Sequence, residues 1–398
     1  MDVKHIPDIP AIQESLRRAR LDAWLFYDHH HRDPVAYRIL GIDPPMCTRR
    51  WYYIIPSSGQ PEKLVHRIER ASLSGLPGHE HVYASWSEQL GRLRTILQGR
   101  KRVAMQYSPL NAIPYIGLVD AGTVELVRQC GAEVLSSADL VQEFEARWSA
   151  EALALHLEAA GAVHKIVRES FRMIRRAAAE GEKLDEVGLQ EEILRLFDEH
   201  GLESAEPPIV AVNAHSGDPH YSPRPASSLP VGRGDFVLLD IWAKRRAPGA
   251  VYFDITWTGF VGDEVPRRHA EIFAVVRQAR DTGIELVETA LGFGRPVYGY
   301  EVDDAVRRVI SRHGYGDLFV HRTGHSIGQE VHGAGANMDN FETHDDRRLI
   351  PGTCFSIEPG IYLPDFGVRS EVDVYVEDRG VRVTGEMQQA IVPILVAP

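Results

Sequence analysis

Apolar positions recur along the chain with two periods, and the switch between them marks out its elements. Near the amino end Ile12, Leu16 and Leu21 fall at roughly helical spacing, and an uninterrupted apolar run follows from Ala23 to Tyr27. Further runs stand at WYYIIP (51–56) and KRVAMQY (101–107), with helical texture between them, which predicts a small α/β domain. Near residue 149 the texture changes. Ser149 is placed to cap a helix, Leu153, Leu157, Ile166, Phe171 and Ile174 keep near-helical spacing, and Gly181 is placed to stop it. The expected division is an α/β domain over 1–147 and a second domain over 148–398.

The second domain performs one order of elements twice. Helices over about 149–180 and 184–200 lead to a loop with His215 and His220, then to a hairpin with Asp240 and Asp254. Helices over about 266–291 and 300–313 lead to a loop with His321, His325 and His332, then to a hairpin with Glu358 and Glu371. In VYFDITWTG, residues 251, 253, 255 and 257 alternate with Tyr252, Asp254, Thr256 and Thr258, so Asp254 projects from one face of a strand. Asp240 ends the buried-looking run FVLLD. Glu358 shares its face with Cys354 and Ser356, and Glu371 shares its face with Arg369, Asp373 and Tyr375. Four carboxylates therefore sit on strands otherwise built for burial.

Composition narrows what such strands can belong to. With 398 residues, 44% hydrophobic and 25% charged, the chain has the make-up of an ordinary globular protein of two or three domains. A formal charge of −12 has the wrong sign for a partner of nucleic acid. Cys47, Cys130 and Cys354 are odd in number and far apart, so no disulfide framework or zinc ribbon is readable, and a reducing cytoplasm fits. No apolar run has the length of a signal peptide or of a membrane helix, so neither export nor membrane insertion is expected.

Buried carboxylates in close company repel one another and need cations. Taken singly, each acid is more often a solvent-facing or arginine-paired strand residue. Four of them at the seam of two similar halves, with histidines on the preceding loops, are better explained by divalent metal ions.

The residues resemble the pita-bread metallopeptidases, which comprise methionine aminopeptidase, Xaa-Pro aminopeptidase and prolidase. The matching pieces are LLD with Asp240, FDITWTG with Asp254, HRTGHSIG with His325, SIEPGIY with Glu358 and VRSEVDV with Glu371. The resemblance covers 149–398, and the first 145 residues are more loosely similar to the amino-terminal domain of prolidase-type members. It implies an α+β catalytic domain of pita-bread fold with a pseudo-two-fold repeat, preceded by the smaller α/β domain. It further implies two divalent cations per chain, with Asp254 and Glu371 bridging them, Asp240 completing one site, and His325 with Glu358 the other. Paired cations activate water for attack on a carbonyl. Glu358 is then the general base, taking the water proton and passing it to the leaving nitrogen. Four carboxylates against one imidazole favour Mn²⁺, with Zn²⁺ and Co²⁺ as alternatives.

By the same resemblance His220 and His332 are catalytic and substrate-facing histidines, His321 lines the site, and Arg369 meets either a bridging carboxylate or a substrate carboxylate. Lone loop histidines are otherwise surface residues, and Arg369 is otherwise half of a structural ion pair. The expected reaction is hydrolysis of the bond before proline in an Xaa-Pro dipeptide, by a homodimer. The alternatives are an Xaa-Pro aminopeptidase acting on longer peptides, a non-peptidase enzyme of the same scaffold such as the creatinase type, and a non-catalytic scaffold. The last two are disfavoured by the complete ligand set.

Three stretches stand apart. Fourteen positions separate Asp240 from Asp254, more than the family hairpin has, and IWAKRR lacks the family tyrosine after the first aspartate, for which Tyr252 is a candidate substitute. The enlarged turn carries Lys244, Arg245 and Arg246, either to attract an anionic substrate end or as a solvated tip. His29, His30 and His31 in YDHHHRDP are three adjacent metal-ligand types, but neighbours on a strand point to opposite sides and at most two could converge, so the stretch is expected to be a loop reaching the rim of the site, within the chain or across a dimer. ETHDDRR (342–348) reads as a solvated loop.

Overall fold

The computed structural model describes residues 7–43 and 46–396. The chain divides after Glu145 into two compact units. The first runs α1 (Ile9–Arg18), β1 (Ala23–Asp28), α2 (Pro34–Leu40), β2 (Trp51–Pro56), β3 (Glu62–His66), β4 (His79–Tyr83), α3 (Trp86–Leu97), β5 (Arg102–Met105), α4 (Ala121–Gln129), β6 (Glu133–Ser136) and α5 (Ala138–Val141). Its six strands form one mixed sheet in the order β4-β3-β2-β1-β5-β6. Strands β1 and β2 are buried along their whole length, which is why their sequences are continuous apolar runs instead of alternations. Asp8, Asp33 and Asp120 cap the helices that follow them, and Ser85 with Glu88 forms a capping box on α3.

The second unit begins with α6 (Ala150–Glu180) and α7 (Glu186–His200), then β7 (Leu202–Glu203), β8 (Ile209–Val212), β9 (Phe236–Arg245) and β10 (Phe253–Phe260). It continues with α8 (Arg267–Gly292), α9 (Gly299–Arg312), β11 (Ser326–Ile327), β12 (Cys354–Ile357), β13 (Gly360–Tyr362), β14 (Gly367–Arg369), β15 (Val372–Glu377), β16 (Gly380–Val383) and β17 (Val392–Pro393). Ser149 Oγ accepts the Ala152 N–H at 3.1 Å to start α6, and Gly181 ends it in the left-handed conformation at φ +71°. Leu157, inward by its spacing, is exposed.

Two sheets carry the repeat, one of β7 to β10 with β17, the other β11-β12-β15-β16. In β9 and β10 the odd positions Val237, Leu239, Ile241, Phe253 and Ile255 pack with Val163, Ile166 and Ile193 of the first helix pair. In the second sheet Phe355, Ile357, Val372, Val374 and Val376 pack with Phe273, Val276 and Val306 of the second pair. Each sheet thus buries one face under its helices and turns the alternate residues toward the other sheet. Among those alternate residues are Asp240, Asp254, Glu371 and Asp373. The hairpins differ in build. Asp240 pairs with Thr256 and Asp254 with Trp242 inside a continuous ladder, whereas Glu358 and Glu371 lie just beyond the β12–β15 ladder, where the small β13–β14 ribbon is inserted.

Candidate metal centre

At the seam the two sheets are joined by the acids themselves. The Asp254 N–H donates to Asp373 Oδ2 at 2.8 Å, and Thr256 Oγ1 lies 2.8 Å from Glu371 Oε2 and 3.1 Å from Asp240 Oδ1, sharing its proton between them. His325 arrives on the short strand β11, whose partner β12 leads to Glu358. Its Nδ1 donates to the Ser326 carbonyl at 3.2 Å, which leaves the Nε2 lone pair facing Asp254 Oδ2 at 3.7 Å and Glu358 Oε1 at 3.4 Å. Close backbone approach puts it there: a Cβ on Gly324 would stand 1.9 Å from the Ser356 carbonyl oxygen.

Asp254, His325 and Glu371 are all buried, and each offers a ligand atom within 4.8 Å of the others. Asp254 Oδ1 is buried without any hydrogen-bond partner among the described residues. Burial, and after it the charges of Asp240 and Asp373, push the Asp254 carboxyl well above the usual carboxylate range. Burial and the Asp254 charge do the same to Glu371, and burial raises Glu358 to about 7 against the pull of Arg369. Burial holds His325 well below its ordinary value, so its imidazole is neutral and keeps a lone pair free. Neutral imidazole beside crowded carboxylates with an orphaned oxygen is a donor set that fits a divalent cation.

Asp240 is held differently. One oxygen receives Arg369 Nη2 and the other faces Thr256. Arg369 is buried, and its Nε donates to Thr256 Oγ1 at 2.9 Å while Nη1 reaches Tyr362 Oη at 3.2 Å and the Pro219 carbonyl at 3.3 Å. Tyr362 in turn donates to His321 Nε2 at 2.7 Å, whose Nδ1 donates to the Arg322 carbonyl. His332 stands edge-on to His325, ring centres 4.3 Å apart, and is exposed at the site mouth. His220 is also exposed, and its charge bears on both His321 and His332.

The loop carrying His220 is shaped by Glu186, at the first turn of α7. Its buried carboxylate accepts the N–H groups of Val212 (2.8 Å) and Leu229 (2.9 Å), the Tyr221 hydroxyl (2.6 Å) and His215 Nδ1 (2.9 Å). Spacing singles out neither Glu186 nor Arg322, a buried arginine whose charge acts on His325, His332 and Glu358. Their only sequence signal is position, Glu186 at a helix start and Arg322 inside HRTGH.

Two expectations are corrected. The 342–348 stretch is not simply solvated: Asp345 and Arg347 are buried and paired at 2.6 Å, with Arg347 also donating to the Ala334 carbonyl. The enlarged turn is solvated only at its tip, where Arg246, Pro248 and Gly249 are exposed: Lys244 Nζ donates to the Gln329 carbonyl at 2.8 Å in the loop after β11, while Arg245 bonds the His200 carbonyl and Arg246 pairs with Asp198 at the end of α7. The Tyr252 hydroxyl accepts the Ala205 N–H at 3.1 Å. His29, His30 and His31 belong to the first unit.

Residues 155–378 match metallopeptidase family M24, and the chain belongs to that family. It is 32% identical over 179 residues to the Xaa-Pro dipeptidase of Pyrococcus furiosus, a stretch covering 44% of this chain and 45% of that enzyme. It is 34% identical over 185 residues to a putative Xaa-Pro aminopeptidase of Mycoplasma pneumoniae, 45% of this chain and 46% of that one. The similarity thus spans about half the length of these curated relatives. Among solved structures it superposes on dipeptidase PepE from Mycobacterium ulcerans with a TM-score of 0.70 at 23% identity, covering 96% of each chain. For the Pyrococcus horikoshii prolidase the TM-score is 0.63 at 23% identity, covering 96% and 98%. The fold is therefore the pita-bread fold of these peptidases. No helix among the described residues is long and apolar enough to cross a membrane.

Proposed function

We propose that the protein hydrolyses the peptide bond preceding proline, most of all in Xaa-Pro dipeptides, with two divalent metal ions per chain. The observation that carries this reading is the buried group of Asp254, His325 and Glu371, whose ligand atoms lie within 4.8 Å of one another, with Glu358 3.4 Å from His325. Asp240, Asp254, His325, Glu358 and Glu371 would hold the ions. Four carboxylates to one imidazole favour Mn²⁺ over Zn²⁺ or Co²⁺. The bound ions supply Lewis-acid polarisation and a lowered pKa for water.

The chain's own residues do the rest. Glu358 takes the proton and later returns it to the leaving nitrogen. His332 and His220, at the mouth, orient the scissile carbonyl and stabilise developing charge on its oxygen. His321 is fixed by Tyr362 and lines the substrate side. The free cysteines suit a reducing, cytoplasmic setting, and a homodimer accords with the family resemblance.

One observation favours a second reading. Of the five N–H donors of Arg369, four already have partners, namely Thr256, Pro219, Tyr362 and Asp240. That leaves one for a substrate carboxylate, and an aminopeptidase needs none. The comparison of kcat/KM for Xaa-Pro against Xaa-Pro-Yaa decides, in wild type and in Arg369→Ala. Preference for the dipeptide, lost in Arg369→Ala, supports the dipeptidase. Equal or faster cleavage of the tripeptide replaces it with the aminopeptidase. Full activity in a demonstrably metal-free sample refutes both.

A further inference from the structure

The motif at 27–33 of the first unit takes no part in the centre described above, yet it is built with care. His30 and His31 both hold left-handed backbone, at φ +67° and +55°. The buried Asp28 keeps them there. Its carboxylate accepts the N–H groups of His31 (2.9 Å), Arg32 (2.6 Å) and Asp33 (3.0 Å), the Tyr37 hydroxyl (2.6 Å) and the Cys47 thiol (3.1 Å). A strained loop held by so many bonds has an over-determined shape, and such shapes gather at ligand clamps.

What this shape presents is one side of a cleft of about 660 Å³, to which His29 and Arg32 contribute together with Arg49, Arg50, Tyr27 and Trp86. The cleft gathers residues from the carboxyl ends of β1, β3 and β4, where α/β sheets bind ligands. Its charge is unbalanced. The lining carboxylate, Asp120, is committed to capping α4 through the Thr123 N–H at 2.9 Å and hydroxyl at 2.8 Å. Arg49 is exposed; its Nη1 bonds its neighbour Thr48, its backbone N–H donates to Glu69 Oε2 at 3.0 Å, and the Glu69 charge faces it, so three guanidinium groups stand against two carboxylates. Arg50 is half-buried, and no carboxylate among the described residues pairs with it or with Arg32. Half-burying a guanidinium without a counter-charge is unfavourable unless a ligand brings one. Trp86, 74% exposed, offers a flat apolar surface beside these charges.

We propose that this cleft is a second ligand site, binding a small organic oxyanion, a carboxylate or phosphate on a flat apolar body, with Arg50 and Arg49 taking the anion and Trp86 the body. The guanidinium fork fits both oxyanions in the same bidentate way. The site stands on the first unit alone and does not depend on the peptidase reading.

Calorimetric titration of the full-length protein with benzoate, phenyl phosphate, inorganic phosphate and benzyl alcohol tests it. One aryl anion is expected to bind at one site per chain, at least tenfold tighter than inorganic phosphate, with no heat from benzyl alcohol and no loss on chelation of metal. Whether benzoate or phenyl phosphate wins assigns the oxyanion. Arg50→Gln should weaken binding at least tenfold with peptidase kcat/KM unchanged, and Trp86→Ala should remove the advantage over inorganic phosphate. Where Arg50→Gln does not fold, Arg49→Gln reads the same contact. Absence of binding at millimolar concentration, undiminished binding in both arginine variants, or loss of binding on chelation overturns the proposal.

Discussion

Glu358→Gln should abolish hydrolysis yet stabilise the metal-free protein at alkaline pH. Glu358 is only 14% exposed at its side chain, and burial raises its carboxyl from 4.5 to about 7. A group whose folded pKa lies above its unfolded value binds its proton more tightly in the folded state, so its contribution fades as pH rises through that window. Each unit of displacement is worth about 1.4 kcal/mol, so an ionised Glu358 costs the metal-free fold about 3 kcal/mol above pH 7. Glutamine has nearly the same shape and cannot ionise. The buried histidines titrate in both proteins, and so do Asp254 and Glu371, whose carboxyls are raised partly by the Glu358 charge; the neutral glutamine relieves them too, which adds to the difference with the same sign. Urea unfolding of chelator-treated wild type and Glu358→Gln, followed by circular dichroism from pH 4.5 to 8, should give equal stabilities at the acid end. At pH 8 the variant should be more stable by at least about 3 kcal/mol. With Mn²⁺ added the order should reverse, since the variant has lost a charged ligand. A difference that stays flat with pH, or a variant weaker at pH 8 without metal, would refute the account of why this carboxylate is buried.

His325→Ala should bind less metal at neutral pH when metal content is measured by mass spectrometry after dialysis, because it removes the one imidazole in the donor set; retention of full metal would remove His325 from the centre. His332→Ala should lower kcat by roughly 10²–10³ if it stabilises charge on the carbonyl oxygen, and unchanged kinetics would make it a surface residue of the mouth. Glu186→Gln should cost about 3 kcal/mol, because its amide nitrogen meets a backbone donor it cannot accept from, and kcat should fall as His220 loses its place; normal kcat in the folded variant would separate Glu186 from the site. Gly324→Ala should prevent stable folding of the catalytic unit, or cost it about 3 kcal/mol, because the added carbon meets the Ser356 carbonyl, and a melting temperature within a degree of wild type would refute that.

Period-2 alternation in VYFDITWTG and the order of acids and histidines along 240–371 already determine which side chains face the seam. The reason is that a strand has only two faces, and the apolar set must take the one under the helices. Caps such as Ser149 and stops such as Gly181 are legible for a similarly local reason: the partners lie within a turn of the helix. What only the tertiary structure decides are the contacts that close over long separations. Arg369 reads on paper as meeting either a carboxylate of the centre or one of the substrate, and folding spends most of its donors on Asp240, Thr256, Tyr362 and Pro219. Glu186 has no spacing relation to the histidine loop whose backbone it holds. Asp345 and Arg347 look like surface charge until each finds the other inside. A charged residue's sequence neighbours do not say whether it will be dry. Burial and pairing are set by which distant segments the packed layers bring against it, and the cost of an unpaired buried charge is what makes that arrangement specific.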